Sequence, residues 1–167
     1  SNTAATGLCL LAFQGAGYTH REHQYAGTIS RGIEYLMNRQ QTNGDLYIPE
    51  DAISNRNVAF YSHGIAALAM CEAYGMTQDP QLREPAQRCL DYIVSTQHDQ
   101  RGGWRYTAQV SSDTSVTGWM MMALKSGQLS GLDVPEKTYQ GIQRWLGSWS
   151  RGSRSKIVCI AKSSRKS

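Results

Sequence analysis

Stretches that are apolar on nearly every side alternate along this chain with stretches apolar on one side only. Residues 3–16 place Leu8, Leu11, Ala12 and Gly15 at helical spacing, and Cys9, Leu10 and Phe13 make the other faces apolar too. That pattern predicts a helix buried on most sides. Residues 25–41 differ. Ile29, Ile33, Leu36, Met37 and Gln40 share one face, while Arg31, Glu34 and Asn38 lie off it, as in an amphipathic helix with one wet side. The alternation then recurs. Residues 58–74, with Phe60, Ile65, Ala66, Leu68, Ala69, Met70 and Cys71, are apolar all round; residues 85–97 confine Ala86, Cys89, Leu90, Ile93, Val94 and Gln97 to one face. Residues 113–129 are apolar again, and a last helix shows a face of Ile142, Trp145, Leu146 and Trp149. The pattern predicts an all-α protein of six helices.

Helix-breaking residues set the boundaries. Thr42-Asn43-Gly44 and Gly75 end helices. Asp79-Pro80 has the form of an N-cap followed by proline at the first helical position. Pro85 is poorly tolerated inside a helix, so a short turn at 80–84 is expected ahead of the main helix at 85–97. Asp133 and Glu136 have capping-box spacing, which predicts that the sixth helix starts at Asp133. Residues 45–57 form a connection longer than the ~12 residues that compact domains normally allow.

The alternation is also a repeat of residues. Ile33-Glu34-Tyr35-Leu36-Met37 lines up with Leu90-Asp91-Tyr92-Ile93-Val94, and Gln40 then falls on Gln97. Gly7 and Ala12, Gly64 and Ala69, and Gly118 and Ala123 mark the same places in the three apolar helices. Small residues at fixed places let helices approach closely. A period of roughly 54 to 57 residues signals a repeat fold in which each unit buries its face against its neighbours.

Gln40-Gln41-Thr42-Asn43-Gly44-Asp45-Leu46 resembles a Gln-x-x-x-Gly-x-Trp repeat with Leu in place of Trp, and Gln97 to Trp104 resembles it with one extra residue. With the phrases YSHGIAALAMCEAYGMT and GGWRYTAQVSSDTSVTGWMMMALKSGQLSGL, residues 3–150 resemble the QW-type repeats of squalene and oxidosqualene cyclases and their relatives. They also look like bacterial prenyltransferase/squalene-oxidase repeat proteins; protein prenyltransferases share the toroid that the resemblance implies. The resemblance implies an α/α toroid, with the first, third and fifth helices inside around a cavity and the second, fourth and sixth outside. Three helix hairpins are fewer than a complete ring of this family has. The expectation is a partial toroid over residues 1–150: a fragment, a truncated product, or a half whose partner is the remainder of the toroid or another protein.

Charge separates this body from the chain's last stretch. Of 17 basic residues, six lie in residues 151–167 with no acid among them; subtracting them leaves 11 basic against 13 acidic side chains. The net +4 therefore belongs to a basic tail, expected to be disordered. No aromatic residue or recognition motif accompanies its charge, so no nucleic-acid partner is expected. No apolar run approaches the ~20 residues of a transmembrane helix. Cys9, Cys71, Cys89 and Cys159 contain no Cys-x-x-Cys pair; three fall on apolar helical positions and are expected in the core. Compartment stays open.

The resemblance also tells where chemistry would sit. Cyclases of this kind protonate substrate with an Asp-x-Asp-Asp-Thr motif, and the matching stretch is Val110-Ser111-Ser112-Asp113-Thr114, with Ser112 where the acid would be. Prenyltransferases hold zinc with an Asp-x-Cys pair and a histidine; here Ser115 replaces the cysteine, with His63 as the histidine available. No metal and no cofactor are expected. Asp113 and His63 remain the weak catalytic candidates, and Asp113 is equally an N-cap of the fifth helix. His20 and His23 are expected to be solvated. Met120, Met121 and Met122 are expected as core before cavity lining.

Two loops, 45–62 and 105–113, should meet at one end of the helices. There Tyr47, Glu50, Asp51, Tyr61, His63, Arg105, Tyr106 and Asp113 would form a polar rim. Tyr61, His63, Arg105, Tyr106 and Asp113 are the candidate ligand-binding residues, suited to an anionic or saccharide ligand; an isoprenoid-like apolar ligand would use the cavity. The function expected is a non-catalytic binding or scaffold segment. The alternatives are a terpenoid-cyclase or prenyltransferase-like enzyme with its catalytic residues outside this chain, and a polysaccharide-active toroid enzyme using Glu50, Asp51 and Asp113.

Overall fold

A computed structural model describes residues 2–49 and 56–150, apart from the side chains of Arg56, Trp149 and Ser150. They form six helices: α1 (Asn2–Gly15), α2 (Ala26–Arg39), α3 (Ala59–Thr77), α4 (Pro80–Thr96), α5 (Thr114–Leu129) and α6 (Glu136–Ser150). A short 3-10 turn, Arg56–Val58, leads into α3. The described residues contain no strand, only an isolated bridge between Trp104 and Asp113. The all-α expectation holds. Among the described residues no helix is long and apolar enough to cross a membrane. Glu50, Asp51, Cys159 and the basic tail lie outside the described residues.

Helix α3 is the hub. It packs against α1, α5 and α4, and α2 reaches it as well. Its composition explains this: Ala66, Ala67, Ala69 and Cys71 are small enough for neighbours to approach on several faces at once, and all are buried. Gly7 of α1 faces Ile65 and Ala66, while Gly64 faces Trp119 and Met120 of α5. Helix α2 buries Ile29, Ile33 and Leu36, the face expected from its pattern. Helix α4 buries Ala86, Cys89, Leu90 and Ile93 and touches both α3 and α5.

Four local expectations are overturned. Helix α1 is not buried on most sides: it buries Thr3, Gly7, Leu10 and Gln14, while Leu8 is 49% exposed and Cys9, Ala12 and Gly15 are exposed too. Only one side of α1 meets α3, so the apolar residues opposite it face outward. Helix α3 does not stop at Gly75; it runs to Thr77, and Gln78 ends it at φ 50°. Helix α4 is continuous from Pro80, with Pro85 inside it. The Asp79 carboxylate caps it by accepting from Gln81 N, and the Pro85 carbonyl accepts from Gln40 Nε2 at 2.9 Å. One forfeited hydrogen bond is outweighed by the cap and by burial of the proline itself. Helix α6 begins at Glu136, not Asp133, whose N–H donates to Gln87 Oε1. Of its expected face, Ile142 and Trp145 are buried and Leu146 is exposed; the Trp149 side chain lies outside the described residues.

Candidate functional site

The two glutamine-led turns are built alike. The Gln97 amide donates to Gly102 O at 2.8 Å within its own turn and to Thr138 O of α6 at 2.9 Å. The Gln40 amide donates to Gly44 O at 3.4 Å and to Pro85 O of α4 at 2.9 Å. Each glutamine thus ties its turn to the helix after next. Gly44 (φ 93°) and Gly102 (φ 79°) occupy the left-handed region, and a Cβ there would overlap the carbonyls of Arg88 and Gly141. Only glycine satisfies both conditions. Leu46 and Trp104 fill the matching core positions, and Trp104 Nε1 donates to Ile93 O at 2.9 Å.

His63 belongs to this framework. It is fully buried; its Nε2 donates to Cys89 O at 3.2 Å, and its Nδ1 stands 3.1 Å from Leu46 N and 3.3 Å from Asp45 Oδ1. One ring nitrogen serves one partner at a time: bare, it accepts from the Leu46 N–H; protonated, it donates to Asp45. Burial pushes the Asp45 carboxyl up, but the His63 ring, the Tyr47 N–H and the Tyr92 hydroxyl outweigh it and hold the carboxyl below its usual range. In the next repeat Thr117 does the work of His63. Its hydroxyl oxygen accepts from Trp104 N at 3.0 Å. Both residues directly precede the repeat glycine, and both hold the backbone of the residue at the tryptophan position.

Ser112 is buried in the same way, its hydroxyl oxygen accepting from Gly103 N at 3.2 Å. Asp113 caps α5 through Ser115 N at 3.0 Å and Val116 N at 3.1 Å, and takes Ser115 Oγ–H at 2.6 Å. The Ser115 hydroxyl holds the Asp113 carboxyl below its usual range against mild burial, with help from those backbone N–H groups and the charge of Arg105. Tyr61 shares a short hydrogen bond with Ser115, its ring lies 6.3 Å from that of Tyr106, and the Arg105 guanidinium sits 5.2 Å over the Tyr106 ring.

Of the five expected ligand-binding residues, Tyr61, Arg105, Tyr106 and Asp113 therefore form one surface cluster; His63 is sealed beneath, among Leu46, Asp45 and Cys89. Tyr47, expected on the rim, is buried. Met120 is core, Met121 is half-buried and Met122 is exposed. Cys71 and Cys89 are buried; burial pushes the Cys89 thiol up to about 12 and the Cys71 thiol well above its usual value. Cys9, expected in the core, is exposed.

One polar centre escaped the sequence pattern. His20, expected to be solvated, is largely buried, with Nε2 2.9 Å from Asp79 Oδ2, and Arg21 Nη2 reaches the same oxygen at 2.8 Å. Asp79 is thereby both the cap of α4 and an anchor for the α1–α2 link. The His20 hydrogen bond, a backbone N–H and Arg21 hold its carboxyl below the usual range. The 59 positions between the partners leave no local signal of the pair. His23 is exposed, as expected. Beside His20, a cleft lined by Gln14, Tyr18, Ile29, Ile33, Ala73 and Thr77 has no room for a water-sized sphere. Among the described residues no group of three or more His, Cys, Asp or Glu side chains stands close enough to hold a metal ion.

Compared with models of protein families, with curated proteins and with solved structures, the chain matches none.

Proposed function

We propose that this chain is a non-catalytic binding or scaffold segment of an α/α toroid, with α1, α3 and α5 inside and α2, α4 and α6 outside. The succession of contacts from α1 to α3 to α5, with α2 and α4 laid against them, supports that arrangement. One observation carries the functional reading. The polar groups at the positions where the resembling enzymes keep their acid and metal ligands serve other ends: His63 holds Leu46, Ser112 holds Gly103, and Asp113, capping α5 through Oδ1, is held ionised and so is no proton donor. A general acid or ligand needs a free, reachable group.

The surface cluster is the binding surface in this reading, and a saccharide is its ligand. Tyr61 and Tyr106 offer ring faces, and Arg105 and the ionised Asp113 offer a donor and an acceptor for hydroxyls. Native mass spectrometry of the 167-residue chain with neutral oligosaccharides, zinc and a polyprenyl diphosphate tests it. Expected is saccharide binding that Tyr106→Ala abolishes while helicity is unchanged. Stoichiometric zinc or turnover of the polyprenyl diphosphate would overturn the proposal.

A further inference from the structure

One hydrogen-bonded chain in the surface cluster has its proton positions fixed, and they determine what the cluster can accept. Ser115 Oγ lies 2.6 Å from Asp113 Oδ1 and is also hydrogen-bonded to the Tyr61 hydroxyl. Asp113 is ionised at neutral pH, its carboxyl being held below the usual range, so it can only accept. Ser115 has one hydroxyl proton, and that proton goes to Asp113. The Tyr61 O–H therefore donates to Ser115 Oγ. The chain runs one way, from Tyr61 to Ser115 to Asp113, and each bond polarises the next.

Both ends of the chain are left as acceptors. Asp113 Oδ1 takes the Ser115 hydroxyl, Ser115 N at 3.0 Å and Val116 N at 3.1 Å, and no bond from a described residue falls on Oδ2. The Tyr61 oxygen has given up its proton and keeps its lone pairs. Ser115 is exposed and its two partners are half-buried, so all three are within reach of a ligand. The Tyr61 and Tyr106 rings, 6.3 Å apart and 35° from parallel, stand beside these acceptors. The cluster's cation is the exposed Arg105, whose guanidinium lies over the Tyr106 ring and whose charge acts on Asp113.

We propose, resting on the saccharide reading of this surface, that Ser115 is its positioning residue and that the surface it sets up selects neutral saccharides through their hydroxyl protons. The Ser115 hydroxyl fixes the carboxylate so that Oδ2 is the acceptor presented, and it holds the Tyr61 ring in place beside Tyr106. Sugar hydroxyls donate to Asp113 Oδ2 and to the Tyr61 oxygen, while the apolar side of the sugar ring lies on the two tyrosines. A uronate brings a carboxylate to acceptors that have no proton to offer it. An O-methylated sugar keeps its oxygens and has nothing left to donate.

Isothermal titration calorimetry on the full 167-residue chain, with circular dichroism to verify folding, tests both halves. The probes are hexasaccharides of glucose, mannose and xylose, their O-methylated forms, and a hexasaccharide of galacturonate. A neutral sugar is expected to bind, with its methylated form and the uronate at least about tenfold weaker, as loss of hydrogen bonds to a charged acceptor requires. Ser115→Ala leaves both backbone N–H caps on Asp113 and removes only the hydroxyl. It should weaken binding of the neutral sugar by about tenfold, and Ser115→Thr, which keeps a hydroxyl, should restore it to within about twofold. A chain that binds none of the neutral sugars overturns the saccharide reading and this selectivity with it. Binding that survives Ser115→Ala, that Ser115→Thr fails to restore, or that favours the methylated sugar or the uronate overturns the proposal alone and leaves the saccharide reading standing.

Discussion

Replacing His63 by alanine removes several contacts at once. The Leu46 N–H loses its acceptor in a place water does not reach, the Cys89 carbonyl keeps only its bond within α4, and the ring leaves a void. The expected cost is about 3 kcal/mol, from unsatisfied groups and cavity together, measured by urea unfolding. Thr117→Val removes the matching bond to Trp104 N without the void and should cost about 1 kcal/mol. The sequence put His63 on the polar rim, whereas the structure seals it in the core. Nothing local hinted at its task, because the partners are a loop N–H and a carbonyl of another helix. The carboxyls make a second prediction. Asp45, Asp79 and Asp113 are all held below their usual range. Such a group stabilises the fold fully above its unfolded pKa, about 3.9, and loses that contribution as pH falls through its lower folded value. Melting temperature should therefore be flat from neutral pH to about 5 and decline below about 4. Asn at 79 still caps α4 but offers no charge to His20 and Arg21. Asp79→Asn should lower the melting temperature at neutral pH and make the acid decline shallower, as followed by circular dichroism.

Among the described residues α6 packs least closely against the other helices, and Gln97 is one of its fixed points. The Gln97 amide reaches Thr138 O across the α4–α6 gap, and its side chain fills the space over Gly141. Gln97→Leu keeps the bulk and removes the donor, so that Thr138 O and Gly102 O both lose the bond from Gln97. Hydrogen exchange should then quicken across residues 136–150 more than in α3, with a global loss of about 1 kcal/mol. Equal acceleration in all six helices would show that Gln97 does not act through α6. At this scale the amphipathic helices were legible and the apolar ones less so. The pattern of α2 and α4 names their buried faces, because polar residues mark the other side. Helix α1 has no charged side to exclude, so its apolar residues predicted burial on most sides, and only the side of Gly7 and Gln14 meets α3. The continuity of α4 was illegible for another reason: Pro85 breaks a helix locally, and what offsets it is burial of the proline, which only the tertiary packing decides.

Equivalent residues with unequal surroundings give the sharpest test of the whole arrangement. Gly7, Gly64 and Gly118 hold the same place in three helices, and in an isolated helix alanine would stabilise each by up to about 1 kcal/mol. In the folded chain their fates diverge. At Gly7 the methyl group meets the Cα and N of Ala66 at 3.0 and 3.2 Å, backbone atoms that cannot turn aside. At Gly64 it meets the Cβ of Trp119 at 3.1 Å, equally fixed. Both substitutions should therefore cost about 1–3 kcal/mol through forced separation of α1 from α3 or α3 from α5. At Gly118 no described residue stands within 4 Å of the methyl, the helix gain stands alone, and Gly118→Ala should raise stability. The repeat that identifies these glycines is plain in the sequence, since spacing alone reveals it. Which of them is filled is not, because that depends on the order in which helices stack. A stabilising Gly7→Ala or Gly64→Ala would mean that the helices do not succeed one another as α1, α3, α5, since only that succession puts a neighbour's backbone against the first two glycines and none against the third.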